Sequence, residues 1–166
     1  MSAVRRVLAI PRVWGSGISF GLTSGVITTL GLMVGLRSGT NSRLAVIGGI
    51  VTIAVADAFS DALGIHTAEE TRGSGARHIW AVTLSTFVTK FLVALSFVVP
   101  VLVLDLGIAV WVGAGWGLAL LAVLSWVIAR ANQSPVHLVV GEHLAIAGVV
   151  IAAAHFLGEW VAATFR

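Results

Sequence analysis

Three ionisable residues stand where a charge is costly: Asp57 and Asp61 within one apolar stretch, and Lys90 in the middle of another. A carboxylate or ammonium group deep in a bilayer costs about 2.5–3.5 kcal/mol even on the lenient insertion scale, so each needs a reason to be there. Asp57 and Asp61 are four residues apart, which on a helix places both on one face, one turn from each other. Two carboxylates on one face offer hard oxygen ligands, suited to protons and to divalent ions such as Mn2+ or Fe2+. Lys90 can serve such a pair by tuning its proton affinity, or by standing in for the cation when the site is empty. It can equally be a structural counter-charge, which neutralises one aspartate and leaves the other unpaired.

A second polar group follows between Gly64 and Glu70. His66 precedes Glu69 and Glu70 by three and four residues, so the three share a face if the helix runs on past the membrane. Histidine beside carboxylates suits an entry site for Fe2+ or Mn2+, while the plainer alternative is a solvated helix end carrying ordinary charges. Glu142 with His143, and His155 with Glu159, read as interfacial groups with hydrogen-bond partners. The chain has no cysteine, so it offers no disulfide, thiolate site or iron–sulfur ligand. No catalytic residue and no permanently bound cofactor is expected; a divalent cation would be cargo.

Composition says what must position these groups. Of 166 residues, 58% are hydrophobic and 10% charged, with mean hydropathy +1.03. A soluble domain carries about 25% charged residues. About twenty apolar residues cross a bilayer, and five such stretches account for the whole length. We expect one all-α domain over residues 1–166, with transmembrane helices at roughly 15–36, 44–64, 79–104, 106–129 and 138–160. Helices satisfy their own backbone in lipid, which an unclosed strand cannot do. Trp80, Trp111, Trp116, Trp126 and Trp160 lie mostly towards span ends, where an amphipathic ring is comfortable.

The isoelectric point of 11.1 reflects scarcity of acids, and the bases are scattered rather than run together, so no nucleic-acid partner is expected. With the N-terminus inside, Arg5, Arg6, Arg12, Arg72, Arg77 and Arg130 fall on the cytoplasmic side. Arg37, Arg43 and Arg166 then fall outside, and this asymmetry favours a cytoplasmic N-terminus and an external C-terminus. A prokaryotic cytoplasmic membrane is the expected setting. On the first span Gly17, Gly21 and Gly25 recur every four residues, and Gly31 and Gly35 repeat the spacing. Such faces let helix backbones approach closely. Two uses are open to them: packing inside one protomer, or a two-fold seam between two copies.

The first span, FGLTSGVITTLGLMVG from Phe20 to Gly35, resembles the signature of the vacuolar iron transporter family of divalent-metal exporters. The second, ADAFSDALG from Ala56 to Gly64, is similar to that family's small-residue stretch, and Pro100 and Gly158 fall where its third and last spans carry proline and glycine. The resemblance covers nearly the whole chain. It implies a five-helix homodimer, a path between protomers lined by the first two spans, Fe2+ or Mn2+ as cargo and proton exchange as the drive. Departures are visible too. Ser24 stands in place of the family's membrane aspartate, Asp61 in place of its methionine, and Ile65 in place of its glutamate. The long cytoplasmic helices between spans two and three are replaced by a connection from Ile65 to His78. The path residues implied here are Asp57, Asp61, Ser24, His66, Glu69 and Glu70, with Lys90 as charge partner.

Enzymatic alternatives lack parts. Asp57-x-x-x-Asp61 matches the closing half of the motif of membrane CDP-alcohol phosphotransferases, but no acid precedes Asp57 to supply the opening half. An intramembrane aspartyl protease needs its two aspartates on facing helices, not one turn apart. The remaining alternative is a structural membrane protein with the aspartates and Lys90 as an intramembrane ion pair.

Overall fold

A computed structural model describes residues 12–165. Arg5, Arg6 and Arg166, three of the bases used to orient the chain, lie outside them. The described residues form six helices: α1 (Arg12–Thr40), α2 (Arg43–Thr71), α3 (Ala76–Ser96), α4 (Val98–Val103), α5 (Leu106–Ala131) and α6 (Val136–Thr164). Five helical stretches are long and apolar enough to cross a membrane, α3 and α4 together making the third. The chain is an all-α integral membrane protein.

Short turns join the spans, and three of the four use a left-handed residue to stop the preceding helix. Asn41 (φ 47°) follows α1, Gly73 (φ 71°) follows α2 and Gln133 (φ 55°) follows α5. Glycine and asparagine reach that region at least cost. Ser42 then caps α2, its hydroxyl accepting from the Ala45 N–H. The third span breaks at Phe97, just before Pro100, whose ring lacks an N–H and crowds the carbonyl four residues earlier.

Helix α1 is the most buried span and touches every other one. Its glycines explain how. A Cβ on Gly21 would stand 2.6 Å from the Thr86 carbonyl oxygen of α3, and one on Gly17 would strike the Ser85 hydroxyl. Gly25 likewise faces the Lys90 backbone. Gly31 and Gly35 turn instead to Val150 and Ala154 of α6. Six residues separate Gly25 from Gly31, which rotates the second run by roughly 240° at 3.6 residues per turn. All five glycines face other helices of the same protomer. On a third side Leu30 and Met33 fill the spaces over Gly117 and Gly113 of α5, with Phe97 beside them, forming the apolar core.

Candidate intramembrane ion site

The two glycine-lined contacts of α1 set the position of Lys90. Because Gly21 and Gly25 carry no side chain, α3 comes so close that the Lys90 N and O atoms lie 3.2 and 3.3 Å from where their Cβ atoms would be. Lys90 is thereby sealed in, 1% exposed, on a face of α3 that also buries Val82, Thr86 and Ala94. Ser24, beside Gly25, reaches the same point from α1. From α2, Ala54, Ala58 and Ala62 pack inwards, and Asp57 and Asp61 flank this small-residue stripe. Asp57 stands at the midpoint of α2 and Lys90 near the middle of the third span, so the charges meet well inside the length of both helices.

One ammonium group serves three oxygens. Lys90 Nζ donates to Ser24 Oγ at 2.8 Å and to Asp61 Oδ2, and Ser24 Oγ in turn donates to Asp61 Oδ2 at 2.6 Å. Asp57 Oδ2 is 2.6 Å from the same nitrogen, within ion-pair distance but off its bonding direction, and no hydrogen bond reaches it. The ammonium therefore pairs with both aspartates, not with one as a simple counter-charge would. Asp61 is held by directed bonds and Asp57 by charge alone. The two carboxylates keep 25% and 20% of their side-chain surface, Asp57 and Asp61 respectively. Asp57 also opens onto a groove of about 530 Å3, lined by Leu32, Gly49, Thr52, Ile53 and Ser60, between α1 and α2.

The group at the end of α2 divides. At 1.5 Å per residue the helix is roughly 43 Å long, which exceeds a hydrocarbon core of about 30 Å, so it continues beyond the lipid. His66 and Glu70 do share a face, with Nε2 and Oε1 3.5 Å apart, and His66 Nδ1 lies 3.0 Å from Thr83 Oγ1. Glu69 does not join them. It is bound by Arg72 Nη1 at 2.5 Å, Ser74 Oγ at 2.8 Å and His78 Nε2 at 3.2 Å, and so ties the α2–α3 turn. The turn through Gly73 brings Ser74 and His78 under it. Among the described residues, no three His, Asp or Glu side chains converge as a metal-ligand set.

Two further histidines find hydroxyl partners: His143 Nδ1 is 2.7 Å from Ser125 Oγ, and His155 Nδ1 is 2.7 Å from Ser38 Oγ. Sequence reasoning passed over Thr83, Ser125 and Ser38; a hydroxyl inside an apolar span was the available signal. No family model, curated protein or solved structure matches this chain.

Proposed function

We propose that the protein carries cations across the membrane, with Asp57 and Asp61 taking up and releasing the ion and Lys90 filling their place between loads. The observation that carries this reading is one buried ammonium shared by two carboxylates and a hydroxyl well inside the apolar helices. A buried salt bridge is weak evidence for stability, because desolvation offsets the attraction. Asp57 is the carboxylate without a hydrogen bond and the one on the groove, which suits it to meet an arriving ion first. Asp57, Asp61 and Ser24 supply oxygen donors of the kind hard divalent ions accept. Cargo of Fe2+ or Mn2+ exchanged for protons accords with the resemblance to vacuolar iron transporters. So does a homodimer: a groove bearing a carboxylate at this depth needs a cover other than lipid.

The test is flux into proteoliposomes with Fe2+, Mn2+, Co2+ and Zn2+ outside and a pH dye inside. Uptake of Fe2+ or Mn2+ with opposite proton movement is expected. Asp57→Asn and Asp61→Asn should each lower it at least tenfold while the protein stays folded. Normal flux in either variant overturns the assignment of that carboxylate.

A structural reading is favoured by the bonding of Lys90 itself, which is fully buried and engages every partner within reach. Under it the cluster clamps α1, α2 and α3 together and moves nothing. Lys90→Met separates the readings. A structural lysine leaves the variant aggregated in detergent size-exclusion; a transport lysine leaves it assembled, with flux shifted in its pH dependence.

A further inference from the structure

We infer that the cavity between α1, α5 and α6 binds an anionic phospholipid, with the phosphate on Arg37 and one acyl chain in the cavity. The cavity measures about 340 Å3 and is walled by apolar side chains, among them Val34, Val110, Ala114, Ile151 and Phe156. It runs along α5 from Gly107 to Ala114, roughly 10 Å at 1.5 Å per residue, which accommodates part of an extended chain.

Its mouth is built for an anion. Arg37 lies in the last turn of α1, partly buried, and its guanidinium has no hydrogen bond or ion pair among the described residues. The acids on this side of the molecule leave it alone. Asp105 is not within ion-pair distance of it, and Glu159 pairs with His155 at 3.4 Å. The guanidinium rests over the first turn of α5, with Nη2 3.9 Å from the Cβ position of Gly107. That helix start is uncapped: the Asp105 side chain makes no cap bond, and the first backbone bond begins at the Ala109 N–H. The N–H groups of Leu106, Gly107 and Ile108 are therefore open to an acceptor. Arg43, which donates to the Leu104 carbonyl at 2.7 Å, adds positive charge next to the same turn. An unpaired guanidinium, open helix N–H groups and an apolar slot below them match a phosphate ester joined to a hydrocarbon chain. Basic pockets between transmembrane helices take anionic headgroups for the same reason.

The experiment is native mass spectrometry of the full chain in detergent, titrated with phosphatidylglycerol or with phosphatidylcholine of identical acyl chains. Phosphatidylglycerol should be retained about tenfold better. Arg37→Gln should abolish that preference by removing the charge. Gly148→Leu should abolish retention by filling the cavity, since Gly148 lines it and a Cβ there meets nothing within 4 Å. Arg130→Gln, whose guanidinium rests on Trp126 at the other end of α5, should leave retention unchanged. Equal retention of the two lipids by the unaltered protein overturns the inference, as does preferential retention persisting in Arg37→Gln or retention persisting in Gly148→Leu.

Discussion

A lysine ammonium has three protons to donate. In this protein Ser24 and Asp61 take two directed bonds, while Asp57 is attracted without one. The hierarchy has a measurable consequence. Asp61→Asn weakens two charge-assisted bonds, each worth about 1.5–3 kcal/mol, whereas Asp57→Asn removes only an ion-pair contact of a partly exposed carboxylate. Unfolding in detergent micelles should show a loss of about 2–3 kcal/mol for Asp61→Asn and a clearly smaller one for Asp57→Asn. Equal losses would show that the directed bonds do not dominate. At this scale the sequence was readable where it broke its own pattern: three charges in apolar runs stand out because lipid penalises them. That Lys90 reaches both aspartates was not readable, since it depends on how closely α3 approaches α1. Glu69 was unreadable for a similar reason, because its partners Ser74 and His78 come from beyond a turn.

The helices show how spacing becomes geometry. Gly17, Gly21 and Gly25 form one continuous contact with α3, so any side chain there separates the two helices and displaces Lys90. Gly21→Leu would drive a branched chain against the Thr86 carbonyl, and overpacking of this kind costs about 1–3 kcal/mol. We expect it to lower the melting temperature in detergent and to lower flux together with it. Gly64→Leu, on an open surface of α2, should change neither. A matching loss in Gly64→Leu would point to a general penalty on glycine replacement instead of a close contact. Element boundaries were legible to the extent that apolarity marks them. The second span reads as ending at Gly64, yet α2 runs to Thr71, because backbone hydrogen bonds continue where hydrophobicity stops. The break at Phe97 follows from Pro100, whose effect falls one turn upstream.

For the molecule as a whole, α1 is central and α6 peripheral, with most of the α6 surface facing outwards. The groove between α1 and α2 is also open, and a second copy placed over it would enclose Asp57. The absence of native cysteine makes this simple to check. Ser60→Cys, in the groove, should form a disulfide-linked dimer in native membranes under mild oxidation, while Val149→Cys on the exposed face of α6 should not. No cross-link at position 60, or cross-linking at 149 alone, would place any dimer contact elsewhere.

By itself the sequence determined the solvent and the form. So little charge over 166 residues leaves only the bilayer as an environment, and in lipid an isolated apolar stretch must be helical to satisfy its backbone. It also singled out Asp57, Asp61 and Lys90, because a charge in hydrocarbon is conspicuous whatever surrounds it. Only the tertiary structure decided what those charges do to one another. Which face of α1 meets α3 and which meets α6 is set by the six-residue offset between its glycine runs and by the side chains that fill the remaining gaps. That packing brings Ser24, Asp57, Asp61 and Lys90 to one point, and leaves Arg37 unpaired above an apolar cavity. Contacts between helices distant in sequence depend on rotation and separation of whole spans, which the spacing within one span does not fix alone.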